Sequence, residues 1–523
     1  MVRGKERLMK RREFLVEAGA AVGLAMLPAA GSAQTMGRVD GELTLTENPG
    51  AVPIPHSYTG LSYELAQLTE PEFFSAANRD LVAHFRRLNE HGVLRIGGNS
   101  SEFCWLRVSA STPEPKLHVP AGDINANWMP HRLFAIEPRA LDTLAGFLDA
   151  TGWRAIFGLN LGNSSPQRAA EEAALVAEKL GGRLGYFQVG NEPDLYHTAS
   201  NGTRPLNWGF EDYLREWTAV AMAISARVPE ARFGGPDVGS GSDWVTRFGE
   251  QVPAEVSARV GSMTGHYYAE GPPNDPSMTT HRLLAGNAKI AGQMARIEEV
   301  ARAHGRVYRM TEGNSCYRGG KPGMSDAFAA ALWGGDYMLE LASLGCAGVN
   351  LHGGSSAFLS ASLGDHTPGM EVAKTPQKMR AGFYTPISSE PGATVKAMPI
   401  FYGMLMAQQL AGGTPLRVAW IPAGVNATVY AVRDGRGCKV AVFNKDEQQG
   451  VDLAIRGLRS VNSAKAWRLA GPGLDATEGV TLAGAEIGEH AVWSPRVVET
   501  IAMSRGAARI HVPAASGALV FLG

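Results

Sequence analysis

From about Thr59 to Leu410 short apolar runs alternate with amphipathic helical stretches, and beyond Ala411 the chain becomes a series of short strands separated by turn residues. These two patterns predict an α/β chain: a parallel (β/α)8 TIM barrel with a C-terminal β-sandwich domain that N-terminal strands join. A third observation places the chemistry. Two predicted strands, 120 residues apart, run into glutamates at Glu192 and Glu312, on the C-terminal lip where parallel barrels hold their reactive groups.

At 523 residues the chain exceeds one compact core, so two domains are expected. It is 45% apolar and 19% charged with 63 glycines, as a loop-rich globular protein should be. A formal net charge of −1 argues for neither a nucleic-acid nor a membrane-surface partner, and the oligomeric state is not encoded in any motif. Lys10-Arg11-Arg12-Glu13-Phe14-Leu15 resembles the twin-arginine export motif of bacterial proteins. An Ala/Gly-rich stretch to Leu27 and a candidate cleavage site at Gly31-Ser32-Ala33 follow. Residues 1–33 are therefore expected to be a signal, and the mature protein to be periplasmic or secreted and off the membrane. The rival is an amphipathic surface helix. Glu17 favours it, but small residues stand where its charges belong. Without this segment 43 Lys/Arg face 47 Asp/Glu, a net of −4. The four cysteines, Cys104, Cys316, Cys346 and Cys438, have no metal-ligand spacing and form no disulfide framework, although one bridge stays open.

In chain order, Glu42–Tyr58 reads as one or two strands broken by Asn48-Pro49-Gly50, Pro53 and Pro55. Residues 34–58 should pack on the β domain, because a strand preceding the barrel needs a partner. The barrel, residues 59–410, takes its strands from Gly60–Tyr63, Val93–Ile96, Ala155–Asn160, Tyr186–Val189, Arg232–Gly234, Met263–Tyr267, Val307–Thr311 and Gly348–Leu351. Helices are expected at Ala77–Glu90, Arg139–Ala150, Ala169–Leu180, Glu211–Arg227, Asn287–Ala303, Ser325–Leu344 and Pro399–Leu410. The rival, a doubly wound sheet, would show a glycine-rich phosphate loop after its first strand, and none is present. Ser355–Met398, rich in Gly, Pro and Ser, is a long connection on the catalytic lip and is read as a cleft wall. In residues 411–523 strands are expected at Leu416–Trp420, Thr428–Arg433, Cys438–Asn444, Gly450–Ile455, Ala464–Ala470 and Arg509–Val512.

The fourth strand ends in Gly190-Asn191-Glu192-Pro193, where glycine frees the backbone and proline stops the ladder. The seventh ends in Thr311-Glu312. Strands four and seven face each other across a barrel, so the two carboxyl groups can meet as retaining glycoside hydrolysis requires. Asn191 can donate to the hydroxyl beside the reacting carbon. No cofactor is expected, and no His/Asp/Glu cluster has metal spacing.

Two further segments, Gly60-Leu61-Ser62-Tyr63-Glu64 and Arg95-Ile96-Gly97-Gly98-Asn99, precede Thr311-Glu312-Gly313-Asn314-Ser315-Cys316-Tyr317-Arg318-Gly319-Gly320 and Ser325-Asp326-Ala327-Phe328. In that order, over most of the chain, they resemble the heparanase and β-glucuronidase family, glycoside hydrolase family 79. The resemblance implies Glu192 as general acid/base and Glu312 as nucleophile. It implies Glu64 and Asn99 on sugar hydroxyls, Tyr317 and the Gly319 N–H on a uronate carboxylate, and Tyr384 closing over that group. Neutral donors in a Gly-Gly turn suit a carboxylate. Heparanase has glycine where this chain has Arg318, which either adds a cation for the carboxylate or points to solvent.

Tyr267 at the sixth strand end either bonds the nucleophile or packs in the core. His352 either borders the pocket or fills the barrel top. Trp105, Trp128 and Trp208 are stacking candidates for outer sugars, with packing the commoner fate of such residues. The expected function is thus a retaining β-glucuronidase acting on a glucuronide or a glucuronic-acid-containing glycan. The alternatives are the same mechanism on a neutral β-glycoside, or a non-catalytic envelope glycan-binding protein.

Overall fold

The computed structural model describes residues 38–117, 133–198, 203–286, 290–363, 382–420, 424–458 and 462–523. The expected signal, residues 1–33, and Trp128 lie outside them. Eight parallel strands close into a barrel. They are Thr59–Glu64, Val93–Gly97, Arg154–Leu159, Leu184–Val189, Phe233–Val238, Val260–Glu270, Val307–Cys316 and Val349–Gly353, each pairing with the next and the eighth with the first. Every expected barrel strand is therefore present. The fifth is longer than expected because Gly234-Gly235-Pro236 continues the strand instead of ending it.

Helices fill the outer ring. Arg79–Leu88, Pro138–Thr151, Pro166–Leu180 and Phe210–Arg227 follow strands one to four, and Ile290–Ala303, Phe328–Ser343 and Pro399–Gln408 strands six to eight. Their limits follow local chemistry. Pro138 and Pro166 occupy first-turn positions that need no N–H, Ser165 accepts from Arg168 N, and Gly152 ends its helix at φ 78°. A helix at Ser242–Gln251 after strand five was not expected, since Gly239-Ser240-Gly241-Ser242 reads as loop. Phe328–Ser343 packs against Pro399–Gln408 so tightly that a Cβ at Gly403 would lie 1.9 Å from the Ala331 carbonyl oxygen.

Among the described residues N-terminal to the barrel a single strand, Arg38–Thr46, pairs in parallel with Gly450–Arg456 and antiparallel with Arg417–Ala419, and residues 47–58 form no strand. Two sheets enclose a core that includes Leu43, Val440, Val442, Val451, Ile455 and Val520. The larger sheet holds the expected strands at Gly437–Asn444 and Ala464–Ala470 and, between them, Ser516–Leu522, a strand that was not expected. Where this sheet meets the barrel, Lys445 Nζ lies 2.5 Å from Asp336 Oδ2 in a buried pair, and Thr428 and Tyr430 hydroxyls donate to the same carboxylate. The four cysteines are free and buried.

Candidate active site

Glu192 and Glu312 converge at the barrel mouth, in a cleft of about 490 Å³ that both line. Their nearest carboxylate oxygens, together with a ring nitrogen of His266, all lie within 4.8 Å of one another. Local backbone geometry delivers each group. Glu192 sits at φ 48° after Gly190 at φ 87°, its N–H donating to Asp237 O at 2.8 Å. Asp237 is itself left-handed at φ 62°, so two non-glycine residues hold a disfavoured conformation side by side. In strand seven the register slips between Met310 and Glu312, a bulge that turns consecutive side chains into the barrel. Thr311 Oγ1 then reaches Asp237, and Glu312 reaches Arg95.

Arg95, on strand two and 1% exposed, ties the floor together. Nη1 donates to Glu312 Oε2 and Ser62 Oγ, Nη2 to Asn191 Oδ1 and Asp237 Oδ2, and Nε to Gln188 Oε1. Tyr268 OH donates to the other oxygen of Glu312 at 2.7 Å. Burial opposes ionisation of Glu312, but His352, His266, Arg95 and the Tyr268 bond outweigh it and hold its carboxyl well below the usual range. Glu192 goes the other way. Burial and the Glu312 charge raise its pKa, with His266 only partly offsetting them. The two carboxyl groups are thereby driven to opposite states, one ionised and able to attack, the other able to keep and give a proton.

His266 stands between the pairs, Nδ1 3.0 Å from Glu192 Oε1 and Nε2 3.0 Å from Asp237 Oδ1, the latter an ionic contact without hydrogen-bond alignment. Burial works against its imidazolium, but Asp237, Glu312 and Glu192 lift its pKa to about 10, so the ring is cationic at neutral pH.

Glu64, Asn99 and His352 also line the cleft. Glu64 accepts from Ser100 N and Oγ, and His352 Nε2 lies 3.3 Å from its other oxygen. Gly98 makes room for this carboxylate, since a Cβ there would lie 2.4 Å from Glu64 Oε2.

Residues 429–519 match the sequence model of the glycosyl hydrolase family 79 C-terminal β domain. The chain is 26% identical over 467 residues to a β-glucuronidase of Aspergillus niger, covering 82% of this chain and 78% of that protein. Both likenesses point to glycoside hydrolase family 79. The chain is a glycoside hydrolase. A β-glucuronidase of Neurospora crassa is 24% identical over 355 residues, 60% of each chain. Among solved structures, a 4-O-α-L-rhamnosyl-β-D-glucuronidase of Fusarium oxysporum superposes with TM-score 0.69 at 17% identity, over 92% of this chain and 99% of that one. An α-L-arabinofuranosidase of Thermotoga maritima gives TM-score 0.61 at 14% identity, over 92% and 99%. These likenesses show a shared fold.

Of the residues the sequence offers, Glu64, Asn99, Glu192, Glu312, Tyr317 and Tyr384 all line the cleft. Asn191 is buried beneath the wall, bridging Arg95 to Asn99 Oδ1 at 3.1 Å and retaining one amide hydrogen. Gly319, at φ 88°, is buried behind Tyr317 and Arg318, which form the wall themselves; its carbonyl accepts from Gly382 N and Phe383 N. Tyr267 is a correction. Side chains alternate along a strand, so Tyr268, not Tyr267, faces inward with His266, and Tyr267 stacks on Tyr337 with centroids 5.2 Å apart. Trp105 and Trp208 are packing residues. Trp105 lies under Arg107 and Arg168, and Trp208 stacks on Tyr196 and donates to Pro193 O at 2.9 Å. His352 borders the pocket. Ser362, Leu363 and Tyr384 make Ser355–Met398 a cleft wall where it is described.

Arg95, Asp237, His266, Tyr268 and Glu102 were missed. Glu102 is buried and accepts from the N–H groups of Leu161, Gly162 and Asn191, fastening the third and fourth strand ends together.

Proposed function

We propose that the protein is a retaining β-glucuronidase working by double displacement, with Glu312 as nucleophile and Glu192 as general acid/base. The observation that carries this reading is two carboxyl groups with oxygens within 4.8 Å and pKa values driven apart. Retention uses carboxyl groups about 5–5.5 Å apart, whereas inversion needs about 6.5–9.5 Å to seat a water. Glu312 attacks the anomeric carbon while Glu192 protonates the departing oxygen. Glu192, now ionised, then takes a proton from the water that cleaves the glycosyl–Glu312 ester. Arg95 and Tyr268 keep the nucleophile ionised and aimed.

The sugar is assigned as glucuronate because two relatives bear the name β-glucuronidase and because Tyr317 and Tyr384, neutral donors, line the cleft. Glu64 and Asn99 receive its hydroxyls. Replacing Glu312 by Gln should abolish turnover of an aryl β-glucuronide in a folded protein, and full activity would sink the assignment. A panel of neutral aryl β-glycosides tests the sugar.

The same reading divides the chain into a catalytic barrel over 59–410 and a β domain over 411–523 joined by residues 34–58. It also has the protein exported by a twin-arginine-type signal over residues 1–33. N-terminal sequencing of extracytoplasmic protein tests this, with a start near residue 34 expected. No helix among the described residues is long and apolar enough to cross a membrane.

A further inference from the structure

The cleft is electrically lopsided. Glu64, Glu192 and Glu312 line it, so an anionic sugar approaching its floor meets three carboxyl groups. Among the described lining residues Arg318 is the one Lys or Arg. It lines the cleft with Tyr268, Tyr317 and Tyr384, and Tyr268 also donates to Glu312. Tyr268 lies 6.1 Å from Tyr384 and 6.5 Å from Tyr317 by ring centroid. The Arg318 guanidinium carbon lies 5.5 Å from the Tyr317 ring centre, a cation–π contact that holds the group beside the Tyr317 face.

The backbone makes the choice of arginine costly. Arg318 has φ 60°, directly before Gly319 at φ 88° and Gly320 at φ 85°. Glycine would take the first position of this left-handed run without strain, so arginine there is disfavoured by local conformation. The turn is also anchored, because the Gly319 carbonyl accepts from Gly382 N at 2.9 Å and Phe383 N at 2.8 Å. That fastens Arg318 and Tyr317 to the segment bearing Tyr384. A guanidinium held against an aromatic ring, in a cleft whose other described Asp, Glu, Lys and Arg side chains are three glutamates, has the chemistry of a carboxylate receptor.

We propose that Arg318 selects the sugar: its guanidinium pairs with the C5 carboxylate of a uronic acid seated over Glu312, with the Tyr317 and Tyr384 hydroxyls completing the receptor. This rests on the glucuronidase reading. It adds that selection for acid over neutral sugar comes chiefly from the arginine and not from neutral donors alone.

The test compares wild type, Arg318→Gly and Arg318→Lys on p-nitrophenyl β-glucuronide and p-nitrophenyl β-glucoside. Arg318→Gly suits the left-handed backbone, so folding should be retained, and thermal unfolding checks it. Loss of one charge-assisted contact predicts a fall of about 10- to 100-fold in the glucuronide-to-glucoside ratio of kcat/KM. Arg318→Lys should recover part of it. Where glucoside turnover is too slow to measure, the inhibition constant of free glucuronate reads the same loss and should rise by a similar factor. A purely structural role would depress both substrates together. A ratio and a glucuronate inhibition constant within about twofold of wild type in the Gly variant would overturn the inference, leaving the glucuronidase reading intact if wild type still prefers glucuronide. A wild-type enzyme that does not cleave the glucuronide would overturn both.

Discussion

Removing the Tyr268 hydroxyl should move the acidic limb of the pH–rate profile. Tyr268 donates to Glu312 Oε1 at 2.7 Å while Arg95 serves Oε2, so Tyr268→Phe strips one of the two direct donors from the nucleophile and leaves the ion pair. A hydrogen bond to an ionised group contributes about 1.5–3 kcal/mol. At about 1.4 kcal/mol per pKa unit this raises the pKa of Glu312 by about one to two units. The sign is fixed by mechanism. Glu312 must be ionised to attack, its pKa is depressed in the folded enzyme, and activity is lost as pH falls through it. The acidic limb of kcat/KM for an aryl β-glucuronide, which reports the free enzyme, should therefore shift to higher pH by that amount. Tyr267→Phe is the control, since that ring stacks on Tyr337, and its acidic limb should stay in place. Coincident limbs for Tyr268→Phe and wild type would refute the reasoning.

Glu192→Ala should lower kcat/KM by 100-fold or more on a glucuronide with a poor leaving group, within the range of about 10²–10⁴ for general acid–base catalysis, and far less on a dinitrophenyl glucuronide, with azide restoring turnover; equal losses on both substrates would count against Glu192 as the proton donor. His266→Gln removes a cation beside Glu192, so the pKa of Glu192 rises and the basic limb of kcat/KM should move to higher pH. The same imidazolium has a raised folded pKa, so its stabilising effect is full below about pH 6.5 and fades as pH rises through about 10. Unfolding of His266→Gln and wild type should thus differ most in mild acid and converge in strong base. Lys445→Met leaves Asp336 buried and unpaired between barrel and β domain; denaturant unfolding should show a loss of about 3–5 kcal/mol while kcat/KM of the folded enzyme is preserved.

The fold was legible because each barrel strand is a short apolar run between helices with clear ends, and all eight runs recur as strands. Glu192 was legible for a similar reason, as a polar group just past the end of a buried strand, and Glu312 as one that closes an apolar run, although the strand itself continues to Cys316. What was lost lies inside strands. Arg95 sits between Leu94 and Ile96 in a strand read as apolar, and only its alternation with them would have marked an inward-facing cation. Asp237 was hidden behind Gly234-Gly235-Pro236, which reads as a strand end yet continues to Val238. The Tyr267/Tyr268 choice needed the parity of strand six. His266 and Tyr268 share a face two residues apart, while the bulge at Thr311 shifts the partner strand by one and breaks simple counting. In the β domain, Ser516–Leu522 went unrecognised although it forms the middle of a sheet, because its Gly517-Ala518 start is weak in strand-forming residues.

The most direct measurement is covalent trapping. Enzyme inactivated with a 2-deoxy-2-fluoro-β-glucuronyl fluoride and digested for peptide mass mapping should carry one glucuronyl adduct, on Glu312. An adduct on Glu192 or elsewhere, or continued turnover with none formed, would contradict the paired-glutamate account.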